Sequence, residues 1–250
     1  CIRDRPALYS WMGDGMIEGV ANLSEWYFEK FATDESSTEG LFEDYDHPNT
    51  RVTHMTVDHE LPMTFWRSVG HSYTAFAKES MIDEMAEAAG MDEVAFRLQN
   101  TQNTPRLNNV IRVAGEHMAK MNPPEGHHLG FAAHHSFYTD VAEIAEVSVE
   151  NGKIRVHKVT CVLDCGQAVN PDIVRSQIEG GVIYGITATL YGGLNLERGA
   201  IKESNFHDYP MLRMNESPEI EVVIIDSGTK PTGVCLLYTS DAADERTSGG

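Results

Sequence analysis

The chain has 250 residues, 41% hydrophobic and 23% charged, a balance that supports one large domain or two modest ones with a sizeable core and excludes disordered and fibrous classes. Its 38 acidic against 19 basic residues give a net charge of −19, and such a surface repels phosphate backbones and disfavours nucleic-acid binding. No apolar run is long enough to span a membrane, and four cysteines (Cys1, Cys161, Cys165, Cys235) without a C-x2-C pair supply neither a disulfide framework nor ligands for an iron–sulfur cluster or structural zinc.

Residues 1–50 are weakly periodic, and the acid excess is steepest between Asp14 and Glu60, which reads as a solvated acidic face. Some helix is expected over Leu23–Phe31, an irregular connection through DESSTEG (Asp34 to Gly40), and a short strand over Arg51–Met55 before a turn at Leu61-Pro62. His71–Ala89 predicts an amphipathic helix: Phe76, Met81, Ile82, Met85, Ala86 and Ala89 recur at helical spacing, and Gly90 stops it. Asp92 is a good N-cap for a second helix carrying Val94, Phe96 and Leu98, ended by Pro105. The polar NTQNTP stretch marks a domain boundary, and a third helix runs from Asn108 to Met121.

The chain then turns to β structure. AEVSVENGKIRVHKVTCVLD alternates about Asn151-Gly152, a pair suited to the positive φ angles of a type I′ turn, and Cys161 and Cys165 fall in or beside its apolar strand as buried thiols. Asn170-Pro171-Asp172 opens a long helix from Ile173 to about Leu190, a second hairpin (Gly193–Phe206) turns at Arg198-Gly199, and a last strand spans Glu219–Ile225. Helices mixed with hairpins argue an α+β class rather than a βαβ repeat.

Three segments can carry chemistry. FWRSVGH (Phe65, Trp66, Arg67, Ser68, Val69, Gly70, His71) precedes a helix start, where unpaired N–H groups and a guanidinium make an anion or cofactor cradle; the alternative is a loop with Trp66 in the core and Arg67 on the surface. QIEGGVIYG (Gln177 to Gly185) places glycines at 180, 181 and 185 in one helix, each costing about 1 kcal/mol relative to alanine. Either a ligand or another helix approaches that backbone closely, with Gln177 and Glu179 nearby. GHHLGFAAHHS holds two histidine pairs, but neighbours on a strand point to opposite faces and no metalloenzyme spacing is present, so His134-His135-Ser136 reads as a pocket-lining loop rather than a metal centre.

Together, FWRSVGHSYTAFAKESMIDEMA, AEVSVENGKIRVHKVTCVLDCGQAVNPDIVRSQIEGGVIYG and SNFHDYPMLRMNESPEIEV resemble, in order, the molybdopterin-binding large subunit of xanthine dehydrogenase-type hydroxylases. The likeness is greatest to the bacterial branch of the isoquinoline 1-oxidoreductase beta chain, which also includes aldehyde dehydrogenases. The resemblance spans about residues 45 to 234. It implies portions of two molybdopterin-binding domains with mixed sheets, hairpins and packed helices: residues 1–104 as the end of the first, 105–234 as most of the second. It assigns cofactor contact to Phe65, Trp66, Arg67, Ser68, Val69 and Gly70, to Gln177, Glu179, Gly180 and Gly181, and to His134 and Ser136 in a cofactor-facing loop; His135 stands where the family often has an acid. The implied activity is hydroxylation of N-heterocycles or oxidation of aldehydes with water as oxygen source. The cofactor is molybdopterin, often in its cytosine dinucleotide form, and electrons leave through a small partner subunit with two [2Fe–2S] clusters. Both periplasmic and cytoplasmic locations fit.

The family pattern continues from Gly-Val into Gly-Glu-Pro, whose glutamate acts as general base. Here Thr232-Gly233-Val234 is followed by Cys235 and Leu236, so the catalytic glutamate is expected to be missing with Leu236 in its place. Residues 235–250 resemble an adapter translated in frame and read as a non-native tail on a fragment of a longer chain; the alternative is a catalytically inactive cofactor-binding or assembly module. The polypeptide as written is therefore expected to show no substrate-dependent dye reduction, even when supplied with cofactor and partner subunit. Robust reduction by the purified chain would contradict this.

Overall fold

The computed structural model describes residues 37–41, 44–55 and 66–234; the Leu23–Phe31 helix, the Leu61-Pro62 turn, Phe65, Leu236 and the 235–250 tail lie outside them. In chain order the elements are α1 (His71–Ala89), α2 (Glu93–Gln99), α3 (Pro105–Met118), β1 (His127–Ser136), β2 (Thr139–Glu150), β3 (Lys153–Asp164), α4 (Pro171–Leu190), the short pair β4 (Leu196–Glu197) and β5 (Ala200–Ile201), and β6 (Glu219–Ile225). They confirm the α+β class. One mixed sheet runs β1-β2-β3-β6, antiparallel through the first three strands and parallel between β3 and β6.

The central strand β3 is covered on both faces, which is why VTCVL reads as a nearly continuous apolar run. Val159, Cys161 and Leu163 pack with Val174, Ile178 and Val182 of α4. Val162 turns the other way and joins Ala142 and Ile144 of β2 against Leu107, Val110, Ile111 and Ala114 of α3. Full burial of each such aliphatic side chain contributes about 1.5–3 kcal/mol. The β2–β3 turn is the expected Asn151-Gly152 pair (φ 52° and 75°), and Arg198-Gly199 (φ 54° and 82°) turns the β4–β5 hairpin. Cys161 and Cys165 are both buried, and neither forms a disulfide.

Three expectations are corrected. Arg51–Met55 is in no strand, because its alternation finds no ladder partner among the described residues. Pro105 opens α3 instead of ending α2; at N1 its missing N–H is no loss, and α2 stops at Gln99, where the Asn100 side chain donates to Phe96 O at 2.8 Å. His134 and Ser136 sit on β1 rather than in a loop, and the turn follows them at Phe137-Tyr138.

The largest departure concerns the face that α1 buries. The helix begins at His71 and closes on Gly90 in the left-handed region (φ 64°), as the sequence predicts. Yet its inward side is His71, Thr74, Lys78, Glu79, Ile82 and Ala86, while Phe76, Met81 and Met85 are 75%, 54% and 38% exposed. Charge is tolerated inside because it is paired. The Glu79 carboxylate accepts from Arg97 Nε at 3.0 Å, Tyr45 Oη at 2.9 Å and the Ala133 backbone N–H of β1 at 2.8 Å. Arg97, fully buried in α2, also reaches Asp83 at 2.8 Å and lies 5.4 Å over the Phe131 ring. Burial alone would make this guanidinium easier to deprotonate; the surrounding Glu79, Tyr45 and Asp83 raise its pKa instead.

Arg97→Leu leaves the Glu79 carboxylate buried without its cation, and is expected to cost about 3–5 kcal/mol, read as a lowered urea-unfolding midpoint. The double substitution Arg97→Leu, Glu79→Met should recover most of that loss, since two apolar groups need no partner. A single variant with an unshifted midpoint would contradict the role given to this pair.

Candidate functional site

The segment Trp66–Gly70 enters α1 through a strained backbone. Ser68 (φ 72°) and Val69 (φ 49°) are consecutive left-handed residues, and a β-branched residue there costs of order 1–3 kcal/mol. Val69 N–H donates to Trp66 O at 2.9 Å, and Ser72 Oγ donates to Val69 O at 2.9 Å, closing the turn against the helix start. Trp66 is 49% exposed, which removes the alternative of a core tryptophan. Its ring lies 5.7 Å from that of Tyr184 on α4, and the Arg67 guanidinium sits 4.7 Å over the same Tyr184 ring.

Between this loop, α1, the end of β1 and α4 lies a cavity of about 400 Å³, within the range of small-molecule sites. Of the residues assigned cofactor contact from sequence, Trp66, Arg67, Ser68, His134 and Gly181 line it. Val69 and Gly70 belong to the loop without lining the cavity, and Gln177, Glu179 and Gly180 lie at the preceding part of α4, the latter two exposed. Ser136 is 1% exposed and outside the lining, its Oγ without a hydrogen-bond partner among the described residues. Phe65 lies outside the described residues.

Sequence reasoning missed Glu79; it had His71, Tyr184 and Gly185 inside the FWRSVGH and QIEGGVIYG segments without assigning them cofactor contact, and all four line the cavity. The α4 glycines are informative here. A Cβ added to Gly180 or Gly185 would meet no atom within 4 Å, so helix packing through small residues does not account for them. Gly185 instead keeps one wall of the cavity clear.

Beside the cavity four residues form a hydrogen-bonded series. Asp44 pairs with Lys78 of α1; Lys78 Nζ is 2.8 Å from His134 Nδ1, and His134 Nε2 is 2.9 Å from His71 Nδ1. Burial, together with the Lys78 ammonium, holds the pKa of His134 well below the usual imidazole range. Gly40 lies over this series, tied in by Thr74 Oγ1 donating to Glu39 O at 2.6 Å. Its φ is +80°, and an added Cβ would fall 2.7 Å from His71 Nδ1 and 2.8 Å from His134 Cε1. His135, next along β1, points away: its Nδ1 is 2.8 Å from Asp140 Oδ1, and it lines a second cavity of about 280 Å³ with Arg106. Nearby, burial pushes the Asp164 carboxyl up, but hydrogen bonds from Arg106, Gly166 N–H and Ser227 hold it below its ordinary value. Among the described residues no three His, Cys, Asp or Glu side chains come together to ligate a metal.

Comparison with known proteins gives concordant matches. A family model described as molybdopterin cofactor-binding domain matches residues 64–218, and a second with the same description matches residues 25–101. The chain is 32% identical to the beta chain of isoquinoline 1-oxidoreductase from Brevundimonas diminuta over 87% of its own length and 29% of that protein's. It is 28% identical to a subunit of nicotinate dehydrogenase from Pseudomonas putida over 75% and 17%, respectively. The chain therefore spans less than a third of the length of these relatives. In structure it is similar to the aldehyde oxidoreductase of Desulfovibrio desulfuricans, with a TM-score of 0.55, 14% identity, and coverage of 68% of this chain and 37% of that one, a likeness of fold.

Gly40→Ala is expected to cost about 1–3 kcal/mol, because it combines a left-handed backbone with a clash against the His71–His134 pair. Thermal unfolding reads the loss. A variant as stable as wild type would show that Gly40 does not seal this pair.

Proposed function

The chain belongs to the molybdopterin cofactor-binding family, and from that premise we propose that the cavity between Trp66–His71 and α4 receives the pterin cofactor of a molybdenum hydroxylase. The single observation that carries the reading is the cleared wall. Gly181 and Gly185 line a cavity of about 400 Å³ within residues 64–218, and no neighbouring atom occupies the Cβ position of Gly185. The residues present fit such a group: an exposed tryptophan face, a guanidinium already oriented over Tyr184, and a loop whose strain calls for a compensating contact.

When bound, the cofactor supplies two-electron oxidation of an electron-poor carbon with oxygen derived from water. The chain's part is to bind and orient. Tyr184 holds Arg67 and Trp66 in register with α4, so loop and helix close on the same space. Arg67 offers fixed donors to an anionic or acceptor group, and the α4 glycines permit close approach of the backbone. We place N-heterocycles, and more broadly aldehydes, as substrates of the whole protein. A small subunit with two [2Fe–2S] clusters is its electron outlet, the cytosine dinucleotide form its cofactor, and residues 1–104 and 105–234 are parts of two cofactor-binding domains. Support comes from the B. diminuta and P. putida relatives, named for an isoquinoline 1-oxidoreductase and a nicotinate dehydrogenase.

In the cofactor-bearing protein, Gly185→Leu should overfill the cavity by about 1–3 kcal/mol and lower pterin and molybdenum content about tenfold or more. Gly185→Ala should keep the cofactor and raise helix stability by about 1 kcal/mol. Metal analysis and fluorescence of oxidatively released pterin check both. Full cofactor content in the leucine variant would move the site elsewhere. Turnover of an N-heterocycle by the full-length parent protein with its partner subunit in 18O-labelled water should put the label in the product; unlabelled product would sink the proposed reaction class.

A further inference from the structure

Along α4 the residues that line the cavity are Gly181, Tyr184, Gly185, Ala188 and Thr189, at the three- and four-residue spacing of one helix face. Gly181, Gly185 and Ala188 carry no more than a methyl group, so Tyr184 stands out from a low wall. Its ring is held from the loop side, with the Trp66 ring 5.7 Å away and the Arg67 guanidinium 4.7 Å from its centroid. A Cβ at the adjoining Gly185 would meet no atom within 4 Å, so the wall beside the ring is open.

Other hydroxyls on the lining are spent within the protein. Thr189 Oγ1 donates to Gly185 O at 2.9 Å, and Ser72 Oγ donates to Val69 O at 2.9 Å. The Tyr184 hydroxyl, by contrast, has no hydrogen-bond partner among the described residues. Burial raises its pKa above the ordinary phenol value, against the pull of the Arg67 guanidinium. At neutral pH the group is therefore a phenol with a proton to give. We propose that Tyr184 is a cofactor-binding residue whose hydroxyl donates to a ring nitrogen or oxygen of the pterin, a planar heterocycle rich in acceptors. The role rests on the cofactor reading above and extends it from the shape of the wall to a named hydrogen bond. Trp66 and Arg67 fix the ring, and the small residues on either side let a flat ligand reach the hydroxyl.

The test uses the whole protein, cofactor-loaded and cofactor-free, with the variants Tyr184→Phe and Tyr184→Leu. Phenylalanine keeps the ring against Trp66 and Arg67 and removes only the hydroxyl, so the unfolding temperature of the cofactor-free form should not change. It should speed pterin loss on dilution about three- to tenfold, the worth of one neutral hydrogen bond, read by fluorescence of oxidised pterin in the filtrate. Leucine removes the ring as well and should speed the loss about tenfold or more. The phenol C–O infrared band that is absent from Tyr184→Phe should shift between loaded and cofactor-free wild type. An unshifted band, or wild-type pterin retention in the phenylalanine variant, overturns the role. A lowered unfolding temperature of cofactor-free Tyr184→Phe overturns it too, because the hydroxyl then has its partner within the protein. If the leucine variant fails to fold, the phenylalanine variant and the infrared band decide the matter. Wild-type protein that takes up no pterin defeats the cofactor reading itself. Uptake and retention equal in wild type and both variants defeat only the role of Tyr184.

Discussion

A buried carboxylate on α1 governs how the helical layer meets the sheet. Glu79 can lie inside only if its charge and lone pairs are answered, and Arg97, Tyr45 and the Ala133 N–H answer them from α2, the 44–55 segment and β1. Those contacts fix the rotation of α1 about its axis. Once Glu79 faces β1, Lys78 and His71 face it too, at helical spacing on the same side. The strained loop before His71 is thereby set opposite α4. Rotating the helix to bury Phe76, Met81 and Met85 would expose the ion pair and withdraw the cavity wall.

That constraint also explains what was legible in the sequence. Signals answered locally are plain: Gly90 closing α1, Asp92 capping α2 with bonds to Val94 N and Ala95 N, Asn151-Gly152 turning β2 into β3, and Asn170 opening α4. The buried face of α1 is not, because apolar periodicity assumes that charge stays outside. Here the answering groups lie 34 residues away for Tyr45 and 56 for His134, and no local pattern announces them. The Phe137-Tyr138 turn is hidden for a related reason. Both residues take positive φ (48° and 67°) without the glycine or asparagine that usually marks such a turn; Arg106 holds it by donating to Tyr138 O at 3.3 Å.

The site was legible in outline. The loop before α1 and the glycine-bearing α4 both stand out in the sequence, and the structure brings parts of each to one cavity. Tyr184, which joins them through Arg67 and Trp66, carries no sequence signal beyond lying among the glycines. Histidines suggest metal ligation by number, whereas their placement serves other ends. His134 faces the cavity through Lys78 and His71, and His135 turns to Asp140 on the opposite side of β1. Small residues on α4 have two readings, helix packing or room for a ligand, and the empty space at Gly180 and Gly185 favours the second.

Each of these features supports the proposed placement of a cofactor between the loop at Trp66–His71 and α4. Hydrogen–deuterium exchange of the cofactor-free and cofactor-loaded protein tests that placement most directly. It should slow on loading in peptides covering residues 66–74 and 177–189, with the α3 face of the sheet unchanged. Equal exchange in both forms, or protection confined to other segments, would contradict it.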